Sequence, residues 1–285
     1  MSEPVNDRHV TEGGPFGDIP ERASEPPSFD TTLSHPARTY DYWLGGKDNY
    51  KADRDVGDQV IETMPSILLA VRANRAFLRR AVEYLVTEAG IRQFLDIGTG
   101  LPTADNTHEV AQRVAPESRI VYVDNDPIVL VHARALLDST PGGATDYIEA
   151  DARDAGTIFR EAARTLDFTQ PVAVMILAVM HLISDADEPG QIVSRLMDGV
   201  APGSYLALSA ATRDIDTERM TRATGDYNAQ RVAAQFNPRT RAEILRYFDG
   251  LDLVDPGLVP IPQWRTPADP AKPIPMYAGV GRKPA

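Results

Sequence analysis

Between residues 91 and 212, the hydrophobic positions form short apolar runs separated by longer amphipathic stretches. The apolar runs predict strands, and in chain order they read RQFLDIG, RIVYVD, TDYIEAD, PVAVMILAVMHLI and GSYLALSAAT. The amphipathic stretches predict helices, and they read PTADNTHEVAQRVAP, PIVLVHARALLD, DAGTIFREAARTL and EPGQIVSRLMDGV. Strands that alternate with helices and are apolar on both faces build a parallel sheet covered on both sides. The pattern therefore predicts a doubly wound α/β fold.

The chain on either side of this alternation has a different pattern. Upstream, DRDVGDQVIETM predicts a short helix that Pro65 stops, and residues 66–90 predict a long helix with apolar residues at helical spacing. Downstream, the chain becomes polar and helical, and two late apolar runs follow, LDLVDPGLVPIPQWR and PMYAGVGRK. These late runs predict an antiparallel addition to the edge of the sheet.

Composition separates the first 33 residues from the rest of the chain. They are rich in Pro, Glu and Gly and almost lack aliphatic residues, so they bury too little apolar surface to offset their chain entropy. We therefore expect a disordered tail at residues 1–33, an N-terminal helical cap at residues 34–90 and a Rossmann-like core at residues 91–285.

The charge balance and the residue counts disfavour several classes of partner. A formal net charge of −12 and a pI near 4.9 make nucleic acid and anionic membranes unfavourable partners. No apolar run is long enough for a membrane span. The chain has no cysteine, so a cytoplasmic location is the default expectation. Its five histidines lack paired spacing, and we expect no metal site.

Acidic residues stand at the carboxyl ends of the first three predicted strands. Asp96 precedes a turn with two glycines, Gly98 and Gly100, while Asp124 ends the second strand and Asp151 the third. In open α/β sheets, ligands bind at these strand ends beside the switch in strand order. Glycines in the first turn let the backbone approach a ligand closely. The pattern predicts a nucleotide-type ligand, with Asp124 placed to accept ribose hydroxyls.

A nicotinamide dinucleotide is the weaker alternative for this ligand. The dinucleotide fingerprint G-x-G-x-x-G requires a third glycine, and Thr103 occupies that position. In addition, the carboxylate of Asp96 is a poor neighbour for a pyrophosphate and a good partner for an ammonium group. An NAD-dependent oxidoreductase is therefore disfavoured.

The three acidic strand ends resemble those of the class I S-adenosylmethionine-dependent methyltransferases. This resemblance implies S-adenosylmethionine as cofactor and a mostly parallel, seven-stranded sheet with an antiparallel last strand. It also implies that the Gly-rich turn holds the methionine part, the second acid the ribose and the third acid the adenine amino group. The implied cofactor-binding residues are Asp96, Gly98, Thr99, Gly100, Asp124, Asn125, Asp151, Ala152 and Ala178.

A narrower resemblance rests on three segments taken together. YDYWLGGKDNY, RANRAFLRRAV and FLDIGTGLPT look like one bacterial methyltransferase family whose substrates are largely unassigned. The turn DIGTGLP departs from the commoner D-x-G-x-G-x-G pattern at Pro102. That departure leaves the path of the turn open.

Two features upstream of the first strand are candidates for cofactor contact. Asn74 interrupts the apolar face of the long helix, where a buried amide requires partners, and Arg75 beside it can pair with the cofactor's carboxylate. Tyr40 and Trp43 lie in a segment that we expect to fold over the cofactor as a lid. The alternatives are an intramolecular cap or an ion pair to residues 37–50 for Asn74 and Arg75, and a packing anchor for the aromatic residues.

His181 follows the fourth predicted strand, close to where a methyl group would be presented. Its ordinary pKa suits a general base that removes a proton from the attacking nucleophile. A structural histidine at a strand end is the alternative. Methyl transfer does not require a base in every case, because alignment of the reacting atoms supplies much of the rate.

Together these residues predict a methyltransferase that uses S-adenosylmethionine and acts on a small molecule. The rival hypothesis is a non-catalytic nucleotide-binding module, which would lack an open pocket beside the methyl group. The sequence does not select the methyl acceptor, and it leaves the oligomeric state open, with a homodimer as one alternative.

Overall fold

The computed structural model describes residues 30–129, 139–266 and 274–285. The helices in this part of the chain are α1 (Pro36–Leu44), α2 (Lys51–Thr63), α3 (Ile67–Thr87), α4 (Thr107–Val114), α5 (Ala155–Ala162), α6 (Pro189–Asp198), α7 (Thr217–Asn228) and α8 (Arg241–Leu245). The strands are β1 (Gln93–Ile97), β2 (Arg119–Asp124), β3 (Ala144–Glu149), β4 (Ala173–Leu177), β5 (Tyr205–Ala211), β6 (Asp252–Leu253), β7 (Val259–Pro260) and β8 (Met276–Arg282).

The strands form one mixed sheet in the order β3-β2-β1-β4-β5-β8-β6. The first five are parallel, and β8 enters antiparallel between β5 and β6. This order confirms the predicted Rossmann-like sheet with seven strands along its main path and an antiparallel last strand. The two-residue strand β7 lies off that path and pairs with β8. The strand order reverses between β1 and β4, which is where a ligand site is expected.

Both faces of the sheet are buried, which explains the apolar runs. On β1, Phe94 belongs to the core layer that includes α3 and α4, whereas Leu95 belongs to the layer that includes α5 and α6. Successive side chains of a strand point to opposite faces, so both positions must be apolar. The long helix α3 is part of the first layer, with Phe77 and Leu85 fully buried there.

Two predicted segments differ from the observed boundaries or lie outside the described residues. The helix expected from Pro102 begins at Thr107, because Asn106 caps it and Glu109 accepts a hydrogen bond from the Asn106 N–H at 2.7 Å. The residues before it form a loop that lines the cavity described below. Most of the helix predicted at 127–138 lies outside the described residues, as do residues 1–29 of the predicted tail.

A largely buried cluster of ionisable side chains joins α1 and α2 to the end of β2. His35 Nδ1 lies 3.0 Å from Asp126 Oδ2, and Arg38 Nε lies 3.4 Å from the same oxygen. Asp53 accepts backbone hydrogen bonds from His35 at 2.9 Å and from Tyr50 at 2.8 Å. These contacts give the charged residues around the N-terminal aromatic segment a structural role, since they seat α1 over the carboxyl edge of the sheet.

None of the helices in the described part of the chain is long and apolar enough to cross a membrane.

Candidate active site

A cavity of about 320 Å³ lies at the carboxyl edge of the sheet, beneath α1 and α2. All fourteen residues that the sequence proposed for the site line it. They are Tyr40, Trp43, Asn74, Arg75, Asp96, Gly98, Thr99, Gly100, Asp124, Asn125, Asp151, Ala152, Ala178 and His181. The tertiary structure therefore brings these residues together, while their individual contacts with a cofactor remain predictions.

The Gly-rich turn after β1 has a tightly constrained path. Gly98 and Gly100 have φ angles of 70° and 68°, in the left-handed region that favours glycine. A Cβ atom added to Gly98 would lie 2.3 Å from Val179 Cγ2. The N–H of Gly98 donates to the carbonyl of Val123 at 2.7 Å. The two glycines and strand β2 therefore determine the path of the turn, and Pro102 follows it.

Asp124 holds this turn from the end of β2. Its Oδ2 accepts a hydrogen bond from the Gly100 N–H at 2.7 Å, and its Oδ1 accepts one from the Asp126 N–H at 3.0 Å. The side chain is buried, and burial raises its pKa above the ordinary value. A carboxylate offers about four acceptor positions, so each oxygen retains capacity for a further donor such as a ribose hydroxyl.

Asp96 is a buried carboxylate, and the Thr107 hydroxyl donates a hydrogen bond to its Oδ2 at 2.6 Å. Burial raises its pKa to about 6, and the hydrogen bond from Thr107 and the charge of Arg75 oppose this rise. Removing such a group from water disfavours its charged form. A cation bound beside Asp96 would therefore interact with it strongly.

The third acid, Asp151, is tied to its neighbours at the rim of the cavity. Its Oδ2 accepts a hydrogen bond from Asn125 Nδ2 at 3.3 Å, and its Oδ1 accepts one from the Arg153 N–H at 2.9 Å. The following helix, α5, is capped by Asp154, which accepts a hydrogen bond from the Thr157 N–H at 3.0 Å. Asp151 is thus not the cap of α5, and its carboxylate stays at the cavity.

Asn74 joins three elements through a buried hydrogen-bond chain. Ser209 Oγ donates to Asn74 Oδ1 at 2.6 Å, and Asn74 Nδ2 donates to the Tyr40 hydroxyl at 3.0 Å. Tyr40 in turn donates to the carbonyl of Val71 at 3.1 Å. The amide that interrupts the apolar face of α3 therefore finds its partners on α1 and β5. Sequence reasoning missed Ser209, because its partner lies 135 residues away.

The same serine stabilises an unusual backbone conformation at the end of β4. Ala178 has a φ of 60°, which is uncommon for a residue with a Cβ atom and costs about 1–3 kcal/mol. Its N–H donates to Ser209 Oγ and to the Ser209 carbonyl, each at 3.0 Å. This sharp turn puts Ala178 and Val179 against the Gly-rich turn and opens the cavity between β1 and β4.

Tyr40→Phe tests whether the tyrosine hydroxyl has a structural role. The variant removes the second donor to the Val71 carbonyl and takes from the buried Asn74 Nδ2 its acceptor on Tyr40. We expect the free energy of unfolding to fall by about 1–2 kcal/mol, measured by urea denaturation. Tyr42→Phe is the matched control, since the Tyr42 hydroxyl bonds Asp58 at an exposed position. An equal effect of both variants would contradict the internal role of Tyr40.

Arg75 is held by the loop that follows the Gly-rich turn. Its Nη2 donates to the carbonyls of Ala104 at 2.9 Å and Asp105 at 2.8 Å. The guanidinium charge also acts on Asp96, where it favours the ionised carboxylate. The bonds to residues 104 and 105 orient a cation at the cavity wall that can meet an anionic group of a ligand.

The other end of the cavity is apolar and comes from elements that the sequence did not connect. Val60, Met64 and Met220 line it together with two aromatic residues, Tyr227 and Phe236. Small clusters of buried side chains, separate from the main core, hold α2 and α7 together here. The stretch RATGDYN contributes Ala223 and Tyr227 to this wall, four positions apart on α7.

His181 lies in a 3₁₀ turn after β4, at the boundary between the two ends of the cavity. Its Nδ1 accepts a hydrogen bond from the Ala211 N–H at 3.2 Å. Burial and the nearby Arg239 lower its pKa to about 3. A base of that strength is poorly matched to proton removal at neutral pH. The geometry at Nδ1 therefore favours a structural histidine at a strand end over a general base.

Among the described residues, no group of three or more His, Asp or Glu side chains has the arrangement of a metal site.

The strand order, with β8 antiparallel between β5 and β6, and the cavity at the switch point define the Rossmann-like fold of class I methyltransferases. The chain belongs to a particular family within this class, described as S-adenosyl methyltransferase, whose model matches residues 22–284. This match confirms the resemblance drawn from the three sequence segments. No curated protein gave a match.

Two solved structures are closely similar to the chain. A DUF574-family protein from Streptomyces avermitilis MA-4680 is 47% identical with a TM-score of 0.86, covering 90% of this chain and 99% of that one. A candidate methyltransferase from Thermobifida fusca YX is 40% identical with a TM-score of 0.82, covering 90% and 97%. The plantazolicin methyltransferase BpumL, at 11% identity and a TM-score of 0.50, covers 87% and 96% and shares the fold alone.

Proposed function

We propose that this protein transfers a methyl group from S-adenosylmethionine to a small, mainly apolar molecule. One observation carries the proposal: a single cavity joins a polar end, lined by the three strand-end acids, to an apolar end lined by α2 and α7. The polar end suits a cofactor that has an ammonium group, a ribose and an adenine. The apolar end offers space for a second molecule beside it.

The residues at the polar end fit the chemical groups of this cofactor. Among the described residues, the buried Asp96 has no cationic partner in direct contact, so it suits the ammonium group, while Arg75 suits the carboxylate. Asp124 retains acceptor positions for the ribose, and Asp151 retains them for the adenine amino group. When bound, S-adenosylmethionine supplies a methyl group on a positively charged sulfur. Tyr40 and Trp43, on α1 above the cavity, would exclude water from that sulfur.

The two rival functions are each less compatible with particular observations. A non-catalytic cofactor-binding module needs no acceptor space, yet the cavity continues past the cofactor residues to Tyr227 and Phe236. An NAD-dependent oxidoreductase would place a pyrophosphate beside Asp96, a buried carboxylate whose raised pKa shows how poorly it tolerates charge without a cation. Both observations favour methyl transfer.

Calorimetric titration with S-adenosylmethionine, S-adenosylhomocysteine and NAD separates these hypotheses. We expect both sulfur compounds to bind and NAD to give no heat above dilution. Binding of NAD alone would overturn the proposal. A methyl-transfer assay follows, in which formation of S-adenosylhomocysteine is measured while small aromatic and aliphatic acceptors are added.

Cofactor affinity is expected to depend on pH through Asp96. Below its pKa of about 6, the uncomplexed carboxyl becomes protonated, and proton loss must accompany binding of the ammonium group. The dissociation constant of S-adenosylmethionine should then rise by up to about tenfold for each pH unit below that value. Calorimetry between about pH 5 and about pH 7 measures this dependence.

The control for this pH dependence is Asp96→Asn, which cannot ionise. Asp124, whose pKa burial also raises, is a neighbouring acid that this variant leaves in place. We expect the variant to lose the pH dependence that arises from Asp96, whose pKa is about 6. A wild-type affinity that is constant down to about pH 5 would show that Asp96 does not pair with the cofactor's cation.

A further inference from the structure

The imidazole of His181 presents a polar atom to the cavity at the boundary with its apolar end. The ring is buried, with 8% of the residue's surface exposed, and it contributes to the cavity wall. Its position is pinned through the main chain, because the His181 carbonyl accepts a hydrogen bond from the Asn237 N–H at 2.6 Å. The ring packs edge-to-face against Phe236, with centroids 5.1 Å apart. It is thus a fixed group rather than a mobile one.

The hydrogen bond at Nδ1 determines which ring nitrogen carries the proton. Nδ1 accepts from the Ala211 N–H, so in the neutral ring the hydrogen must reside on Nε2. The tautomer is thus assigned from the hydrogen-bond geometry. No described residue accepts a hydrogen bond from Nε2, and this atom is not among the sealed, unpaired polar atoms of the interior. The Nε2–H group therefore faces the cavity as an unused donor.

The surroundings keep this ring neutral over the physiological pH range. The Arg239 guanidinium donates to the carbonyls of Met180 and Ile183, on either side of His181 in the chain, and so holds a positive charge close to the ring. Asp185 pairs with that guanidinium at 2.7 Å from its exposed position. The neighbouring faces of α7 and the 233–236 segment contribute Met220, Tyr227 and Phe236, with no carboxylate facing the ring. Protonation of the ring would place two cations together in a buried site.

The described lining of the apolar end offers no charge partner to an ionised molecule. Its described lining from α2, α7 and residues 233–236 carries no formal charge: Val60, Met64, Met220, Ala223, Tyr227, Ala233, Ala234 and Phe236. A carboxylate or ammonium group placed there would lose its hydration without compensation. A neutral molecule with a flat body is favoured instead, because the aromatic edges and faces of Tyr227 and Phe236 pack well against a ring.

We propose that the apolar end selects a neutral aromatic acceptor molecule that carries a hydrogen-bond-accepting oxygen or nitrogen, and that His181 Nε2–H binds this atom. The inference rests on the proposed function and adds the chemical class of the methyl acceptor. His181 then acts as a donor that determines specificity and orients the ring of the acceptor. It takes no proton during the reaction.

The test compares three small probes in protein saturated with S-adenosylhomocysteine: acetophenone, isopropylbenzene and benzoate. Acetophenone has an accepting carbonyl, isopropylbenzene has nearly the same shape without one, and benzoate is ionised. Ligand-detected NMR titration gives their affinities. We expect acetophenone to bind at least about tenfold more tightly than either of the others, since isopropylbenzene leaves the buried donor unpaired and benzoate brings an uncompensated charge.

Two variants assign that preference to His181. His181→Phe should bind isopropylbenzene and lose the preference for acetophenone, whereas His181→Gln retains an N–H donor and should keep most of it. In the wild type, the preference should be unchanged from about pH 5.5 to about pH 8, because the ring stays neutral. If the His181 ring only filled space, the wild type would show no preference for acetophenone.

The outcomes also separate this inference from the proposed function. Failure of S-adenosylhomocysteine to bind would overturn the proposed function. If it binds while acetophenone and isopropylbenzene have equal affinities, or benzoate binds as tightly, the assignment of a neutral acceptor to His181 is wrong. Binding of none of the three probes would equally overturn it. The comparison of probes in the wild type decides the matter even where a variant fails to fold.

Discussion

Asp124→Ala is expected to weaken S-adenosylmethionine binding by at least about tenfold, which corresponds to about 1.4 kcal/mol or more. Two effects add. The proposed bonds to the ribose are lost, and the N–H groups of Gly100 and Asp126 lose the acceptor that holds the Gly-rich turn and the end of β2 in place. Because the turn itself is released, the loss of affinity can reach about a hundredfold. This is the effect expected when two hydrogen bonds to a charged acceptor are lost.

The matched control for this variant is Glu149→Gln. Glu149 lies directly opposite Asp124 in the register of β2 and β3, and it is exposed and outside the cavity lining. Calorimetry should give the control the wild-type affinity. Asp124→Asn, which keeps the size of the side chain, should fall between the two. An unchanged affinity of Asp124→Ala would remove this carboxylate from the site.

Asp96→Asn is expected to stabilise the cofactor-free protein and to weaken cofactor binding at the same time. The folded-state pKa of Asp96 is raised to about 6 by burial, so the ionised carboxylate is an unfavourable group in the empty cavity. Asparagine has nearly the same shape and can accept the hydrogen bond of Thr107. It removes the charge, and with it the proposed partner of the cofactor's ammonium group.

The direction of the stability change follows from linkage. A carboxyl whose pKa is higher in the folded than in the unfolded state contributes stability below the unfolded value. That contribution is lost as pH rises from about 4 through about 6. At pH 8 the wild type has lost all of it, so Asp96→Asn should be more stable by about 1–3 kcal/mol. At about pH 4 the two proteins should differ little.

Urea denaturation at both pH values, without cofactor, measures the stability change, and calorimetry at pH 8 measures binding. We expect the affinity for S-adenosylmethionine to fall by about a hundredfold, the typical effect of losing a buried charge pair. Thr107→Val provides a comparison, because it removes the hydroxyl bonded to Asp96 while retaining the charge. A variant that is less stable than the wild type at pH 8 would contradict the argument.

Opposite effects on stability and binding would have a functional meaning. The cavity keeps a carboxylate that the folded protein alone would not favour, and it also keeps Ala178 at a φ of 60°. Strain and unfavourable charge of this kind concentrate at sites where a ligand compensates them. Cofactor binding should therefore raise the melting temperature of the wild type more than that of Asp96→Asn.

The polar end of the site was predictable because its residues are tied to strand ends. Asp96, Asp124 and Asp151 each follow an apolar run, and parallel strands bring their carboxyl ends to one edge. The three acids are therefore close in space although they are far apart in the chain, because parallel strands share one carboxyl edge. The Gly-rich turn added a second local signal, since both glycines have the left-handed conformation that the turn requires.

The apolar end was not predictable in this way. Phe236 packs against the cluster that contains Met64 although 172 positions separate the two residues, and no periodicity links α2 with the segment after α7. Likewise, a hydrophobic pattern identifies Asn74 as an exception, but it does not reveal that Ser209 and Tyr40 are its partners. Such contacts depend on how long-range elements pack, which local pattern does not encode.

The sequence by itself determined the doubly wound fold, the family resemblance and the three acids of the cofactor end, because hydrophobic period and strand ends are local properties. Only the tertiary structure decided the shape of the acceptor end and the state of His181. The backbone N–H of Ala211, 30 residues away in the chain, leaves the proton of the ring on Nε2. Burial beside Arg239 keeps that ring neutral, and both effects arise only when β4, β5 and the segment after α7 come together.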